Sequence, residues 1–140
     1  MEQQGNPNIL LVGVGGIGGM TIELLAPALE RIQRTCTITL MDGDIVEATN
    51  LGHQRFTKSD IGKAKTEVLA QRFTDFEYVT CHSFPENLRN AEQLEGFDFV
   101  LIGVDRPLPR RLVHASTVPW IDMRSTGMGT CSSQVNPIRN

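Results

Sequence analysis

A glycine-rich turn is the first place where the residue types and their spacing suggest chemistry. The run G-V-G-G-I-G-G occupies residues 13–19, a short apolar segment precedes it, and apolar residues at helical spacing follow it. A strand, a glycine turn and a helix in this order bind phosphate, because free N–H groups at the helix N-terminus face the anion. We expect Gly13 to permit the tight turn, Gly15 to let phosphate approach the backbone, and Gly18 to let the helix pack closely. The pattern therefore predicts a phosphate-binding turn, in which Gly16 is an additional glycine.

Three acidic residues follow predicted strands and are candidates to act beside this turn. Asp42 follows the strand predicted over Cys36–Met41, a place where an acid hydrogen-bonds a ribose hydroxyl in nucleotide-binding folds. Asp44 and Asp105 are alternative candidates for a Mg²⁺ ligand, since Mg²⁺ prefers carboxylate and phosphate oxygens together. The acids therefore predict a nucleotide sugar at Asp42 and a metal-bound phosphate nearby.

Basic residues near the turn predict that the phosphate is a reacting one. Lys63 and Lys65 lie in the first turns of a helix predicted over residues 60–73, where cations oppose the helix dipole and an anionic ligand would explain them. With Arg55 they are candidates to stabilise charge on a phosphate that is attacked or leaves. A hydride-transferring enzyme needs the glycines and the ribose acid but not these cations. The set favours cleavage of a triphosphate.

Strands and helices alternate along the chain and must position these residues. Apolar strands without polar alternation are typical of a parallel sheet that is covered on both faces, and strand–helix–strand units are joined by right-handed crossovers. The sequence predicts an α/β fold, a Rossmann-like, mostly parallel sheet with helices on both faces. Strands are predicted over residues 8–14, 36–41, 77–83, 97–104, 118–123 and 132–135, and helices over residues 16–34, 60–73 and 109–117. We also expect Pro27 to bend or split the first helix, and Ser59 to cap the second.

Composition narrows the class of protein. The chain has 140 residues, a formal net charge of −3 and no run of basic residues, which argues against a nucleic acid or an anionic membrane as partner. It contains neither a membrane-length apolar segment nor a signal-peptide pattern, so we expect a cytoplasmic protein of one domain over residues 1–140. Its three cysteines form no C-x-x-C pair, which argues against a zinc cluster. Cys36 and Cys81 lie in predicted strands and are expected to be buried.

Four motifs taken together resemble the ubiquitin-activating superfamily, which includes bacterial sulfur-carrier adenylyltransferases of the ThiF and MoeB type. The motifs are G-V-G-G-I-G-G, L-M-D-G-D-I-V-E-A-T-N-L, D-I-G-K-A-K and a strand that ends in G-V-D, and they cover roughly residues 9–124. The resemblance implies a Rossmann-like adenylation domain that binds ATP and Mg²⁺ and forms a homodimer or heterodimer. It further implies adenylylation of the C-terminal glycine carboxylate of a ubiquitin-like or sulfur-carrier protein, with release of pyrophosphate.

The resemblance also assigns roles to individual residues. Lys65 would stabilise the reacting triphosphate, and Asp105 would bind Mg²⁺. The remaining expected nucleotide contacts are the phosphate loop of Gly13, Gly15, Gly16 and Gly18, Asp42 at the ribose, Asp44 near the sugar and loop, and Asn50 at the phosphates.

Three departures from the family pattern leave alternatives open. The family usually reads N-L-x-R-Q, whereas here His53 stands at the position of the arginine and Arg55, two residues later, is the candidate to replace it. Arg106 stands where the family commonly has asparagine, and the chain is shorter than is typical. One alternative is therefore a catalytically weak or inactive nucleotide-binding regulatory subunit of the same family. A second is an NAD-dependent oxidoreductase, which shares the motifs only as far as Asp42.

Overall fold

The structure, a computed structural model, describes residues 5–52, 55–125 and 131–136. In these ranges the chain forms one sheet, with α-helices and short 3₁₀ turns between its strands. The strands are β1 (Asn8–Val12), β2 (Cys36–Met41), β3 (Val79–Phe84), β4 (Phe99–Ile102), β5 (Trp120–Ser125) and β6 (Cys131–Val135). The helices are α1 (Gly16–Arg31), α2 (Lys65–Gln71) and α3 (Pro107–Ala115), and the 3₁₀ turns are Ala48–Asn50, Lys58–Asp60 and Ala91–Leu94.

The strand order of the sheet is β3-β2-β1-β4-β5-β6. β1 pairs in parallel with both β2 and β4, so that Leu11 lies beside Leu40 on one side and Leu101 on the other. Only the edge strand β6 pairs antiparallel, with β5, among the strands of the described ranges. From β1 the strand order extends one way to β2 and β3 and then the other way to β4 and β5, and such a switch point opens a crevice at the carboxyl ends of β1 and β4. The order confirms the predicted mostly parallel Rossmann-like sheet.

Two apolar layers cover the two faces of this sheet. Leu11 of β1 packs with Ile22 of α1 and Leu69 of α2 in one layer. Its neighbour Leu10 packs in the other layer with Val113 of α3. Alternate side chains of one strand thus enter opposite layers, and burial of each leucine stabilises the fold by roughly 1.5–3 kcal/mol. The prediction of helices on both faces is confirmed.

Helix α1 is continuous across Pro27, so of the two expected effects the split does not occur, and a bend stays a prediction. Ile22 and Ala26, fully buried on the same side of the helix, hold the segment before the proline against the sheet. The helix also ends at Arg31 rather than at residue 34, because Gln33 adopts a positive φ of 58°. The N–H of Arg34 donates to the carbonyl of Leu29 at 2.9 Å, which closes the end of the helix in a Schellman motif.

The second helix begins at Lys65 and not at residue 60, and the predicted cap at Ser59 is wrong. Ser59 lies instead in the 3₁₀ turn Lys58–Asp60. The N–H of Thr57 donates to the Asp60 carboxylate at 2.8 Å, which lowers the pKa of Asp60 and closes this turn. Gly62 then takes a positive φ of 88°, which ends the helical path before α2 starts. The third helix begins at Pro107 and not, as predicted, at Pro109, and a proline is again its first residue.

Both cysteines of the parallel strands are held as neutral thiols. Cys36 is buried in β2, and Cys81 is partly buried in the neighbouring strand β3, opposite Ile38. Burial raises the pKa of Cys81 to about 12 and also raises the pKa of Cys36. The prediction that Cys36 is buried is confirmed, whereas Cys81 is buried only in part.

We expect Cys81 of the folded chain to react with iodoacetamide at pH 8 about 10³-fold more slowly than a free cysteine, whose pKa is about 8.5. The reason is that the attacking species is the thiolate, which a pKa of about 12 almost eliminates at pH 8. Peptide-resolved mass spectrometry with and without denaturant measures this rate. Rapid labelling of Cys81 without denaturant would contradict the expected protection.

Candidate functional site

The turn after β1 requires glycine at its first position. Gly13 has a φ of 88°, a region that side-chain-bearing residues rarely adopt. A Cβ atom at Gly13 would lie 3.0 Å from Cβ of Val104 and 3.1 Å from its backbone nitrogen. The N–H of Gly13 donates to the carbonyl of Met41 at 2.8 Å, which fixes the turn against β2. The tight turn expected at Gly13 is therefore present.

Helix α1 starts directly against this turn. A Cβ atom at Gly18 would lie 1.7 Å from the carbonyl oxygen of Gly13, so no larger residue fits at Gly18 without movement of the backbone. The N-cap of the helix is Gly15, which has no side chain to bond the free N–H groups of the first turn. A Cβ atom at Gly16 would meet nothing within 4 Å. The positive end of α1 is thus open to an anion on the side of Gly16.

Asp42 connects the turn after β1 to the start of the loop after β2, at the carboxyl edge of the sheet. Its side chain is buried, and Oδ2 accepts from the N–H of Val14 at 2.9 Å while Oδ1 accepts from the N–H of Asp44 at 2.8 Å. Each carboxylate oxygen has a second acceptor site. Asp42 can therefore still accept a hydroxyl group, so a ribose contact stays a prediction beside this structural role.

Backbone pairing carries Lys65 to the same edge. The segment after β2 and the segment before α2 run antiparallel, with hydrogen bonds from Val46 to Lys63, from Gly62 to Val46 and from Lys65 to Asp44. The last of these, from the Lys65 N–H to the Asp44 carbonyl, is 3.1 Å long. The first residue of α2 therefore lies beside the loop that follows β2. The sequence motif predicted that Lys65 acts at this site but not the pairing that places it there.

The Lys65 side chain is only 6% exposed, and its Nζ lies 3.8 Å from Oδ2 of Asp44. It lines a cavity of about 310 Å³ together with Gly43, Asp44, Ile45, Glu47 and Asn50. In this cavity Oδ1 of Asn50 accepts from the Glu47 N–H at 2.8 Å, which leaves the side-chain NH₂ group as a donor. Three predicted residues, Asp44, Asn50 and Lys65, are thus brought together. A buried ammonium group beside an amide donor is an environment that fits an anionic ligand.

Asp105 lies at the same edge of the sheet, three residues after β4. Its side chain is 92% exposed, and its nearest ion-pair partner in the described ranges is Arg110, at 3.5 Å. No group of three or more His, Cys, Asp and Glu side chains that could enclose a metal exists within those ranges. Mg²⁺ commonly takes one or two carboxylates and completes its coordination with phosphate oxygens and water. A single exposed carboxylate near the glycine turn of residues 13–19 fits that donor set.

Arg55 is not brought to the Lys65 cavity. Its guanidinium pairs with Glu23 of α1, at 2.5 Å, and Arg72 pairs with the same carboxylate. Glu23 lies in α1, about two helical turns after Gly16. A contact between Arg55 and phosphate therefore stays a prediction. It would require the Arg55 guanidinium to leave Glu23. His53 and Gln54, which adjoin Arg55 in sequence, lie outside the described residues.

Two residues at this edge were not predicted to act there. Arg106 lies 3.3 Å from Oδ1 of Asp44, and Asn87 accepts from the Gly43 N–H at 2.9 Å. Both line a narrow slot of about 30 Å³ beside Gly13 and Asp42. The position of Arg106 directly after Asp105 was a usable signal, because both must follow β4. Asn87 gave no such signal, since it follows β3 in a loop without a motif.

A larger cavity, of about 580 Å³, lies beside α3 and contains none of the predicted residues. Below it, fully buried Asp122 of β5 pairs through Oδ2 with Arg110 at 3.2 Å, His114 at 2.8 Å and Arg124 at 3.0 Å. The hydrogen bond to Asp122 raises the pKa of Arg124. His114 also stacks on Trp120, with ring centroids 4.0 Å apart. This cluster ties α3 to β5 and thereby fixes the loop that carries Asp105.

Solved structures with the same fold include two from Escherichia coli. MccB in complex with succinimide superposes with a TM-score of 0.71 at 25% identity, over 85% of this chain and 37% of that one. The tRNA N6-threonylcarbamoyladenosine dehydratase TcdA, solved in complex with AMP, superposes with a TM-score of 0.69 at 27% identity, over 83% of this chain and 50% of that one.

Curated proteins with similar sequences are longer than this chain. The NEDD8-activating enzyme E1 catalytic subunit of Caenorhabditis elegans is 32% identical over 114 residues, which cover 78% of this chain and 25% of that protein. The adenylyltransferase and sulfurtransferase UBA4 of Saccharomyces cerevisiae is 29% identical over 132 residues, or 89% of this chain and 29% of that protein. The chain therefore spans between a quarter and a third of these relatives. The ThiF family model matches residues 1–139, nearly the whole sequence, and the chain belongs to the ThiF family.

Proposed function

We propose that this chain binds ATP and adenylylates the C-terminal glycine carboxylate of a ubiquitin-like or sulfur-carrier protein, with release of pyrophosphate. The observation that carries this proposal is the Lys65 side chain, which is 6% exposed and has Asp44 at 3.8 Å as its ion-pair partner. A buried ammonium group is costly unless it is well paired and hydrogen-bonded. The Asp44 oxygen at 3.8 Å is beyond hydrogen-bond distance, and a triphosphate in the adjoining cavity would supply acceptor oxygens to the Lys65 ammonium group.

The proposed reaction joins the carboxylate oxygen of the partner to the α-phosphorus of ATP and breaks the bond to the β-phosphate oxygen. Both reactants are anionic, so catalysis depends on positioning and on screening of their charges. The N–H groups at the start of α1, beside Gly15 and Gly16, would hold phosphate oxygens. Asn50 would donate to the phosphates, Lys65 would stabilise the departing pyrophosphate, and Asp42 would accept a ribose hydroxyl.

Asp105 is the proposed protein ligand of Mg²⁺, and Asp44 is not, because both Asp44 oxygens already face cations. When bound, Mg²⁺ would supply further screening of the triphosphate charge. A cytoplasmic location and a homodimer or heterodimer remain parts of the proposal that rest on the family resemblance. Among the described helices, none combines the length and the apolar composition that a membrane-spanning segment requires.

A second candidate function is that of a nucleotide-binding regulatory subunit. The pairing of Arg55 with Glu23 favours it, because this arginine is thereby held away from the Lys65 cavity. Both candidates predict that ATP binds. They differ in whether the α-phosphate is transferred.

Exchange of labelled pyrophosphate into ATP separates these functions and tests Asp105. With a ubiquitin-like or sulfur-carrier partner present, we expect exchange by the wild-type chain, and a loss of about 10²-fold or more in Asp105→Ala, since electrostatic contacts to the reacting groups typically contribute this much. Asp75→Ala is the matched control, because Asp75 is exposed between α2 and β3, away from the carboxyl edge of the sheet.

The pattern of exchange and binding decides between the functions. Exchange that requires both the partner and Asp105 supports adenylylation. ATP binding without exchange under any condition would favour the regulatory subunit, and tighter binding of NAD than of ATP would exclude both.

A further inference from the structure

Arg106 bridges the two loops that flank the phosphate turn. It is the N-cap residue of α3 and follows β4, and its guanidinium lies 3.3 Å from Oδ1 of Asp44 in the loop after β2. Because β1 lies between β2 and β4 in the sheet, this ion pair spans the end of β1. The narrow slot beneath it is lined by Gly13 and Asp42. Arg106 therefore stands at the crevice where the sheet topology places a nucleotide.

Two cations share Asp44 as their ion-pair partner. Its Oδ1 faces Arg106 at 3.3 Å and its Oδ2 faces Lys65 at 3.8 Å, so that one carboxylate lies between two cations. Asp42 lines the slot beside Arg106 and Glu47 lines the Lys65 cavity, but among the described residues Asp44 is the one carboxylate within ion-pair distance of either cation. A polyphosphate that entered between Lys65 and Arg106 has enough oxygens to contact both cations.

The exposure of Arg106 allows it to change partners. Its side chain is 53% exposed and that of Asp44 is 44% exposed, and ion pairs of such exposure contribute little to stability. The guanidinium can therefore turn from Asp44 to a phosphate at small cost. Lys65, by contrast, is almost fully buried and fixed in position.

Arg55, the arginine that the sequence offered for this role, is held elsewhere. It is similarly exposed, at 56%, but its partner Glu23 lies on α1 and also binds Arg72. If Arg55 moved toward the Lys65 cavity, the Glu23 carboxylate, which is 17% exposed, would keep only Arg72 as an ion-pair partner among the described residues. Arg106, unlike Arg55, pairs with Asp44, which is also the ion-pair partner of Lys65.

We propose that Arg106 binds the polyphosphate of the nucleotide and supplies in this chain the positive charge for which Arg55 was the candidate. On binding, its guanidinium exchanges Oδ1 of Asp44 for phosphate oxygens, and Asp44 stays with Lys65. The inference rests on the proposed function for the identity of the nucleotide, but it concerns binding and not the transfer of AMP.

Calorimetric titration of the 140-residue chain with ATP and with adenosine tests this inference. We expect Arg106→Gln to weaken ATP binding about tenfold or more, as the loss of a charge-assisted contact does, and to leave adenosine binding unchanged. Arg106→Lys should recover part of the ATP affinity. Arg31→Gln is the control for the change in net charge, because Arg31 ends α1 at the opposite edge of the sheet and is exposed. Melting temperatures confirm that each variant is folded.

A double variant separates direct contact from relief of the Asp44 charge. If Arg106 acted only by neutralising Asp44, Asp44→Asn combined with Arg106→Gln would bind ATP as tightly as Asp44→Asn alone. We expect the double variant to be about tenfold weaker than Asp44→Asn, since the phosphate contact is lost in both backgrounds.

Several results would overturn the inference. ATP affinity of Arg106→Gln within twofold of the wild type, equal losses for ATP and adenosine, or a loss in Arg55→Gln with none in Arg106→Gln would each do so. Absence of ATP binding by the wild-type chain would overturn this inference and the proposed function together. ATP binding that depends on Arg106, without pyrophosphate exchange, would support the inference and overturn adenylylation alone.

Discussion

Replacement of Gly18 by alanine is expected to lower the free energy of unfolding by about 3 kcal/mol or more and to abolish ATP binding. The added Cβ would lie 1.7 Å from the carbonyl oxygen of Gly13 and 2.6 Å from its carbonyl carbon, and both are backbone atoms that no side-chain rotation can move. The start of α1 must then shift away from the turn after β1. Such a shift would displace the N–H groups proposed to hold phosphate. Chemical denaturation measures the stability, and calorimetric titration with ATP measures the binding.

Gly16→Ala is the matched control on the same helix. A Cβ at Gly16 meets nothing within 4 Å, so its effect on stability should stay within about 0.5 kcal/mol. Because that open side is where we propose that phosphate binds, Gly16→Ala should still weaken ATP binding. A Gly18→Ala chain with wild-type stability would contradict the close contact between helix and turn.

The second large effect is expected for Lys65→Met, which should reduce partner-dependent pyrophosphate exchange by about 10²–10³-fold. Methionine fills a similar volume and tolerates burial, so the fold should persist while the positive charge beside the cavity is lost. The reaction would then lack the group proposed to stabilise the departing pyrophosphate. Initial rates of exchange at several ATP concentrations measure whether the loss is in kcat or in KM.

Lys58→Met makes the same change of side chain in the exposed 3₁₀ turn that precedes α2, and we expect it to leave exchange unchanged. Exchange by Lys65→Met at the wild-type rate would exclude a catalytic role for the buried ammonium group. Loss of ATP binding without a change in kcat would instead restrict Lys65 to binding.

Much of the fold could be predicted because its determinants are local. The unbroken apolar runs around Leu11 and Leu101 indicate strands that are covered on both faces, and β-branched residues indicate a strand around Leu40. The structure places Leu11 between Leu40 and Leu101 in the sheet. The glycine spacing placed the turn and the start of α1 for a local reason too, since Gly13 and Gly18 contact each other. Helix ends were predicted less well. Gln33 ends α1 with a positive φ that is unusual for glutamine. Gly62 also has a positive φ, and α2 therefore begins after it, at Lys65.

Partners of charged side chains could not be predicted, because they depend on which loops the sheet brings together. Nothing local to Arg55 indicates that Glu23 lies within reach, and nothing local to Asp122 indicates that it is the buried partner of two arginines and a histidine. Asp44, Lys65 and Arg106 come together from the loop after β2, the start of α2 and the N-cap of α3. The motifs supplied candidate residues whose roles stay predictions, whereas the geometry that relates these residues is a property of the folded sheet.

The hydrogen bonds of Asp42 have a consequence for how fast and how tightly a nucleotide can bind. Both of its oxygens are already engaged by the backbone of Val14 and of Asp44. The turn after β1 and the first residues of the loop after β2 are therefore held by one buried side chain before any ligand binds. The conformational entropy of ordering them is lost before the ligand arrives, so more of the gross interaction energy remains as affinity. A preorganised site of this kind should show little dependence of its association rate on loop rearrangement.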